Sequence, residues 1–402
     1  MSYIKYLFCG VLLLSLVFHA LSAGCTINPF ATNAPLIIRP ENTTVIYPKH
    51  GERTIKFKVG ETVEFACPQR QVVVDGTSST SLVQATCISN TRFTVNGQRF
   101  IWSQISCSAN PVARGRFLNS NCGTNARLAE IGFQLDNNRF LRTITICFDT
   151  VNQTSLYSYY DLTSSVRSSD TTTPRPNFAQ DTGFYNTGNR NVNQLYVRGT
   201  QRSTINRLIG LAAKNTKYIQ NGLTHFLSRG HLTARADFIY GALQNATFRY
   251  INAAPQWQGF NMNNWNQVET DTRNYAHNRN VDLQVWTGTY GVATLPDETS
   301  GEDIPLSLYV NGNKRGIPVP AIYWKIVYNP TNKRGIVLIG LNNLYEKNVS
   351  KHVICQDISN QVNWLNWRKN DIDRGYSYAC TVSSFRKVVT YAPNLNVAGL
   401  LT

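Results

Sequence analysis

The sequence predicts a mixed α+β protein in which β-structure is the larger part. Alternating apolar and polar residues at 281–286 and 322–328 predict strands. Apolar residues at positions 205, 208, 209 and 212 repeat with a helical period, which predicts a helix within 204–214. The 402 residues exceed what one core usually supports, so we expect two domains.

The first 23 residues have the features of a secretory signal peptide. Lys5 gives a positive start, residues 7–18 are almost entirely apolar, and Ser22 and Ala23 offer a cleavage site. The apolar run is short for a bilayer span, and no second long run follows it. We therefore expect a secreted, extracellular protein without a membrane anchor.

The cysteines predict disulfide bonds. Of nine cysteines, Cys9 lies in the signal segment, and the remaining even number in an exported chain is typical of a disulfide framework. Cys355 and Cys380 lie far from the others in sequence and are expected to pair, whereas the sequence leaves the other pairings open. Sequons predict N-glycosylation at Asn42, Asn152, Asn245 and Asn348.

Residues 24–110 predict a small disulfide-stapled β domain with a structural or targeting role. Residues 54–59 and 62–66 alternate on either side of a Gly-Glu pair, which predicts a hairpin. The second domain is expected over residues 111–402, with its core at about 200–345. Within it, residues 164–193 are rich in Ser, Thr, Asn and Pro and predict an irregular, exposed segment.

The charge distribution favours a polyanionic partner. The chain carries 39 Lys and Arg against 23 Asp and Glu, a net charge of +16. Residues 185–280 hold 11 basic side chains and 3 acidic ones. Nucleic acid, heparin-like glycans and anionic membrane surfaces suit such a charge, although a basic face that only aids solubility would have the same composition.

His231 is the first candidate for chemistry. It lies in the stretch FLSRGHLTARADF, between apolar residues at strand-like spacing and two places after Arg229. A single histidine in such a strand is more often a core residue than a catalyst. His225 and His277 are expected to be structural, and Asp237 is expected to organise the turn that follows rather than to bind a metal directly.

A second candidate group lies downstream, where Asn261, Trp265, Glu269 and Arg273 follow one another at intervals of four. A helix over about 261–278 places them on one slowly turning face. Trp265 then packs inward, and Glu269 and Arg273 form an i,i+4 pair. An ordinary amphipathic helix with one surface ion pair and an asparagine cap would show the same spacing.

Four stretches together resemble a known family. FLSRGHLTARADF, YINAAPQWQGFNMNNWNQVETDTR, LQVWTGTYG and VPAIYWKIVY occur in the order found in the DNA/RNA non-specific endonucleases, the Serratia-nuclease type. The similarity covers about residues 223–341 and is greatest to secreted arthropod members. It implies a ββα-metal core with a central antiparallel sheet flanked by helices.

The resemblance also implies roles for individual residues in the first two stretches. His231 corresponds to the general base of the Asp-Arg-Gly-His motif, Arg229 to the arginine that faces the phosphate, and Asn252 to an asparagine that supports the site. The motif begins with Ser228 instead of aspartate, which is tolerable if that side chain only orients the loop. A further family arginine lies upstream of the motif.

That upstream arginine has three competing counterparts in this sequence, Arg190, Arg198 and Arg202. On the following helix, Asn261 corresponds to the only side chain that binds the metal, expected to be Mg²⁺ with Mn²⁺ able to substitute. Glu269 and Arg273 correspond to residues beside the metal and the scissile phosphate.

The resulting hypothesis is a secreted Mg²⁺-dependent endonuclease that cleaves single- and double-stranded DNA and RNA without sequence preference and leaves 5′-phosphates. DNA and RNA would bind through their phosphate backbones. A catalytically inactive relative that binds extracellular DNA or heparin-like polyanions is the alternative, and Ser228 keeps it open. A nucleotide phosphodiesterase is disfavoured because the sequence has no visible two-metal Asp/His cluster.

Overall fold

The computed structural model describes residues 24–402, so the predicted signal peptide lies outside the described residues. Residues 24–107 form short strands in three sheets. These strands are β1 (Cys25–Ile27), β2 (Leu36–Arg39), β3 (Thr44–Val45), β4 (Ile55–Phe57), β5 (Thr62–Ala66), β6 (Val72–Val74), β7 (Thr77–Ser78), β8 (Leu82–Ser89), β9 (Arg92–Val95), β10 (Gln98–Ile101) and β11 (Ile105–Cys107).

The hairpin predicted at 54–66 is wrong, although both of its segments are strands. β4 pairs with β1, whereas β5 lies between β2 and β8 in a six-stranded sheet. The intervening turn is bound to a third element, because Gly60 donates to the carbonyl of Cys87 and Cys87 donates to that of Glu61. The turn therefore passes the chain from one sheet to the other.

The remaining strands build a nine-stranded sheet and several hairpins. They are β12 (Arg114–Gly123), β13 (Ala126–Gln134), β14 (Phe140–Asp149), β15 (Thr154–Leu162), β16 (Leu227–His231), β17 (Ala253–Trp257), β18 (Leu283–Val292), β19 (Thr294–Pro296), β20 (Asp303–Pro305), β21 (Ser307–Asn311), β22 (Lys314–Pro318), β23 (Pro320–Asn329), β24 (Arg334–Leu341), β25 (Ser377–Cys380) and β26 (Gly399–Leu400). The large sheet has the order β12-β13-β14-β15-β18-β23-β24-β25 and is antiparallel except where β26 joins β24.

The helices are few and mostly short. They are α1 (Val192–Leu195), α2 (Arg198–Leu208), α3 (Gly241–Ala246), α4 (Gln258–Phe260), α5 (Asn266–Arg279) and α6 (Val382–Arg386), with a π-helical turn at Asn261–Trp265 that joins α4 to α5. Short 3₁₀ turns lie at Trp102–Gln104, Val166–Ser168, Arg235–Asp237, Tyr250–Asn252, Val349–His352, Ser359–Gln361 and Ile372–Arg374.

The structure confirms the predicted α+β class and the helix after residue 261. The helix predicted within 204–214 is displaced, since α2 begins earlier and ends at residue 208. Gly210 has φ +76°, a left-handed conformation that stops a helix at little cost. No helix in residues 24–402 has the length and apolar character needed to cross a bilayer.

β23 runs through the middle of the large sheet and is buried along its whole length. Its side chains alternate between two cores. Trp324 and Ile326 pack toward α6 and the C-terminal segment, whereas Tyr323 and Val327 belong to the larger core on the other face. Lys325 shares the face of Tyr323, so a buried ammonium group lies on the same face of this strand as the larger core.

Four disulfides cross-link the described chain: Cys25–Cys87, Cys67–Cys107, Cys122–Cys147 and Cys355–Cys380. The predicted pairing of the last two cysteines is confirmed. The first two bonds lie within the N-terminal sheets, which pack against the rest of the protein through a stack of Tyr47 on Tyr240, 5.4 Å between ring centroids. The domain boundary at about residue 110 stays a prediction, as does glycosylation.

Candidate active site

Arg229, Gly230 and His231 lie on an antiparallel hairpin formed by β16 and β17, in which His231 pairs with Ala253. Because side chains alternate along a strand, Arg229 and His231 project to the same side. Gly230 projects to the other side, where a Cβ would lie 2.2 Å from Oε1 of Gln256. The close approach of the partner strand therefore requires glycine between the two functional candidates.

Ser228 holds the hairpin together. Its hydroxyl donates a hydrogen bond of 2.9 Å to the carbonyl of Gln256 on the opposite strand. The residue that stands where the family has aspartate thus bonds within the hairpin, on the side away from His231.

His231 is packed between aromatic rings. The centroids of Phe178 and Phe248 each lie 4.9 Å from that of the imidazole. Burial, and after it the positive charge of Arg175, lower the pKa of His231 to about 4, while Asp237 opposes the shift. The imidazole is therefore neutral at physiological pH. Its Nε2 is buried and has no hydrogen-bond partner among residues 24–402, so in the tautomer with the proton on Nδ1 this nitrogen has a free lone pair.

Arg229 is held toward α1. Its Nη2 donates to Oδ1 of Asn193 at 2.6 Å and its Nε donates to the hydroxyl of Tyr250 at 3.1 Å. The guanidinium also lies 5.0 Å from the ring centroid of Tyr196. These contacts fix a positive charge beside the hairpin without neutralising it, since none of the three partners is acidic.

Asn252 supports the turn that follows His231. Its side chain is fully buried. Its amide oxygen accepts from the backbone N–H of Thr233 at 3.0 Å, and its amide nitrogen donates to the carbonyls of Thr233 and Thr247 at 2.9 and 3.0 Å. All hydrogen bonds of this amide are therefore made to nearby backbone groups. This agrees with a role in supporting the conformation of the turn rather than in the chemical step.

Asn261 begins the π-helical turn of the helix that follows the hairpin, and its side chain is half-buried. Its Nδ2 donates to Oε1 of Gln258 at 3.2 Å. That bond orients the amide and leaves the carbonyl oxygen Oδ1 as the group that can accept. Four residues later Trp265 is buried against Phe260 and Tyr323, as expected for a core residue.

Arg273 pairs with Asp237 rather than with Glu269, so the expected i,i+4 surface pair is wrong. Its Nη1 lies 2.9 Å from Oδ1 of Asp237, and the two side chains are only 16% and 2% exposed. The hydroxyl of Tyr160 donates to the other oxygen of the same carboxylate. Asp237 thus organises more than its own turn, because it joins that turn to α5 and to the central sheet.

Glu269 and Lys325 complete a buried charged cluster with Asp237 and Arg273. Burial raises the pKa of Glu269 to about 7, with Lys325 and Arg273 opposing the shift. Lys325 is fully buried and its Nζ donates to Oγ1 of Thr287 at 2.6 Å. Burial lowers the pKa of Lys325, while Asp237 and Glu269 oppose that change. Two carboxyl groups and two basic groups therefore lie together inside the protein, and the opposite charges partly offset the effect of burial on each of them.

The model of the DNA/RNA non-specific endonuclease family matches residues 124–385. The chain belongs to this family. The matched segment contains the β16–β17 hairpin, the helix that follows it and the charged cluster. The predicted resemblance is thereby confirmed, and membership of this family identifies the protein as an endonuclease.

Two relatives of the endonuclease are salivary proteins. It is 30% identical over 353 residues to a salivary endonuclease of the sand fly Lutzomyia longipalpis, covering 86% of this chain and 78% of that protein. It is 24% identical over 412 residues to salivary protein Tsal2A of Glossina morsitans morsitans, covering 98% of each. A chain in the crystal structure of the EndoG/EndoGI complex is also similar. The match covers 66% of this chain and 91% of the matched chain, with a TM-score of 0.40 and 17% sequence identity.

Sequence reasoning missed Lys325 of the charged cluster and Tyr160, whose hydroxyl donates a hydrogen bond to Asp237. Tyr160 lies on β15, far from the recognised motifs. Lys325 lies within VPAIYWKIVY, where alternation places it on the same face as Tyr323. The sequence did contain a signal for Lys325, because a lysine on the inward face of a central strand is buried. A buried lysine needs compensating charges, so it indicates acidic groups nearby.

Arg175 was also missed, since it lies in the irregular segment 164–193. It is close enough to His231 to lower the pKa of the imidazole. Two of the three arginines considered for the upstream family position are engaged elsewhere. Arg198 donates to the carbonyls of residues 221 and 222, and Arg202 donates to the carbonyl of Ile219. Arg190 makes no such side-chain bond within residues 24–402, and Arg175 is a further candidate because of its position near His231.

Two other histidines have structural partners, as predicted. His225 contacts the hydroxyl of Thr224 and packs its ring on Tyr345. His277 lies 4.5 Å from the ring of His50, with its Nδ1 at 3.2 Å from the carbonyl of Ser164.

We predict that Phe178→Ala raises the pKa of His231. Removing the ring admits water to the imidazole, and hydration favours the protonated form, so the pKa should move from about 4 toward the usual 6.5. NMR titration of histidine-labelled endonuclease measures this shift. Phe178→Leu keeps most of the apolar cover and should change the pKa less. Equal titration of His231 in wild type and Phe178→Ala would show that the ring is not the cause.

We predict that Asp237→Asn destabilises the endonuclease by about 3–5 kcal/mol, because it leaves the guanidinium of Arg273 buried without its counter-charge. Urea denaturation measures the change in the free energy of unfolding. Asp303→Asn is the control, since Asp303 pairs with Lys351 where both side chains are more than half exposed and such pairs contribute less than about 1 kcal/mol. Equal losses in the two variants would contradict the assigned importance of the buried pair.

Proposed function

We propose that this endonuclease is a secreted, Mg²⁺-dependent enzyme that hydrolyses phosphodiester bonds of DNA and RNA without sequence preference and leaves 5′-phosphates. The observation that carries the proposal is the neutral imidazole of His231, with a buried and unpartnered Nε2, on a hairpin followed directly by the helix with Asn261 and the charged cluster. Four disulfides and salivary relatives support export.

His231 is the proposed general base. A general base must be unprotonated and must have a free lone pair at the working pH, and the neutral imidazole meets both conditions. It accepts a proton from the water that attacks phosphorus. The adjacent positive charges of Arg175 and Arg229 favour a phosphate in front of it, since guanidinium groups donate in pairs to phosphoryl oxygens.

Asn261 is the proposed metal ligand. Mg²⁺ prefers oxygen donors and keeps several waters, and the oriented amide of Asn261 offers one carbonyl oxygen. Within residues 24–402, no three His, Cys, Asp or Glu side chains gather as a metal-ligand group, so water and substrate oxygens would complete the coordination. Bound Mg²⁺ supplies charge relief on the phosphoryl oxygens and on the departing 3′ oxygen.

Glu269 and Arg273 have proposed roles beside the phosphate. Arg273 offsets negative charge that develops on the phosphoryl oxygens, and its bond to Asp237 keeps the guanidinium in place. Glu269 orients a water through a hydrogen bond. None of these residues needs a 2′-hydroxyl group, which is the physical reason to expect cleavage of both DNA and RNA.

We expect the protein to digest plasmid DNA and total RNA in Mg²⁺ and to lose this activity in EDTA, as followed on gels. Binding should weaken steeply with salt, because contacts to the phosphate backbone release counterions. A protein that binds DNA but leaves supercoiled plasmid intact in Mg²⁺ or Mn²⁺ would instead be the inactive polyanion-binding relative.

We predict that His231→Ala lowers the rate of DNA cleavage by about 100-fold or more, the range typical for loss of a general base. Binding of a labelled duplex in EDTA should persist, because the phosphate contacts remain. His225→Ala is the matched control and should keep its activity. Cleavage by His231→Ala at the wild-type rate would reject the assignment of the base.

For the metal, Asn261→Ala should raise the Mg²⁺ concentration that gives half-maximal cleavage, since one protein ligand is lost. Asn263→Ala removes an amide two residues later on the same helix, where it bonds the carbonyl of Gly259 at 2.7 Å, and should leave the Mg²⁺ titration in place. Superimposable titrations for Asn261→Ala and wild type would remove Asn261 from the metal site.

A further inference from the structure

A cleft of about 510 Å³ lies between α2 and β21, outside the hairpin and the charged cluster. We name it the α2 cleft. Polar residues predominate in its lining, apolar side chains come from Leu195, Leu208, Leu308, Tyr309 and Val310, and no acidic side chain lines it. The lining residues used below are Arg190, Gly199, Thr200, Ser203, Thr204 and Arg207.

One face of α2 supplies most of this lining. Residues 199 and 200, 203 and 204, and 207 lie on successive turns of the helix, so their small, hydroxyl and guanidinium groups form a continuous stripe. The opposite side of α2 is engaged with the protein, since Ile205 and Gln201 are buried. The helix contains three arginines and no acidic residue.

Arg190 and Arg207 bring two uncompensated positive charges to the cleft. Both side chains are exposed. Neither has an ion-pair or hydrogen-bond partner for its guanidinium within residues 24–402. Arg190 sits on a turn closed by a bond from the hydroxyl of Thr187 to the carbonyl of Arg190. Two acids, Asp297 and Glu298, lie near the C-terminal end of α2. Oδ1 of Asp297 accepts hydrogen bonds from the backbone N–H groups of Thr299 and Ser300, and Glu298 is bound by Lys217 at 2.7 Å.

The α2 cleft is connected to the proposed active site through a short segment of chain. Three residues after Arg190, Oδ1 of Asn193 accepts hydrogen bonds from Arg229 at 2.6 Å and from Tyr250 at 3.0 Å. Arg229 in turn shares its side of the hairpin with His231. The same segment therefore carries an arginine of the cleft and the contact that positions an arginine of the site.

We propose that the α2 cleft binds the phosphodiester backbone of the polynucleotide substrate at nucleotides that flank the bond to be cut. This inference rests on the proposed function. Guanidinium and hydroxyl groups are the usual donors to phosphate oxygens, and such contacts position a nucleic acid without reading its sequence. The lining suits backbone rather than stacked bases, which would need exposed aromatic faces, because the aromatic residue of the cleft, Tyr309, is buried.

The double substitution Arg190→Ala/Arg207→Ala tests the proposal on the full-length protein. Affinity for a fluorescein-labelled 30-base-pair duplex is measured in EDTA by anisotropy at several salt concentrations. We expect weaker binding and a log Kd against log salt slope that is smaller by about 2, since each lost phosphate contact removes about one unit. Arg190→Lys/Arg207→Lys should retain most of the slope.

Arg92→Ala/Arg99→Ala is the control for charge alone, because it removes two exposed arginines from β9 and β10 of the N-terminal sheets. Equal losses in the two double variants, or no loss in Arg190→Ala/Arg207→Ala, would overturn the proposal. So would a variant that loses binding of a heparin hexasaccharide while its duplex binding is unchanged. Failure of wild type to cleave DNA would refute the proposed function, whereas the binding measurements in EDTA would still decide whether the cleft holds phosphate backbone.

Discussion

The ion pair between Asp237 and Arg273 is the contact on which the arrangement of the site depends. Asp237 ends the short turn that follows the strand with His231, and Arg273 lies on α5, so their 2.9 Å contact joins the two main elements of the site. Tyr160 donates to the same carboxylate from the central sheet. Each partner is buried, where a charge without its counterpart is costly, so hairpin, helix and sheet are held in one relative position.

The charge balance around this pair explains how an apolar core accommodates ionisable groups. Lys325 and Arg273 bring two positive charges, and Asp237 and Glu269 bring two carboxyl groups. Burial alone disfavours each charged form, and the opposite charges counteract that effect. His231 is not one of these four groups. Because aromatic rings and positive charges surround the imidazole, its neutral form is favoured, which is the form required of a base.

Local patterns predicted well those features that depend on neighbours in the chain. Alternation identified β18 and β23, helical spacing identified the helix after Asn261, and separation along the chain paired Cys355 with Cys380. Features that depend on distant partners were predicted poorly. The i,i+4 spacing suggested Glu269 as the partner of Arg273, but Asp237, 36 residues away in sequence, is the partner. The prediction of a hairpin at 54–66 was wrong because the turn between the two strands is hydrogen-bonded to β8.

The sequence by itself determined the class of fold, the family and the order of the candidate residues, since periodicity and short motifs are encoded within a few turns of chain. Only the tertiary structure decided which side chains are shielded from water and which charged side chains lie close together. Phe178, Phe248 and Arg175 reach His231 from other segments, and Lys325 reaches the cluster from a strand with no motif role. Burial and pKa depend on everything packed around a group, and that packing exists only once the distant segments have assembled.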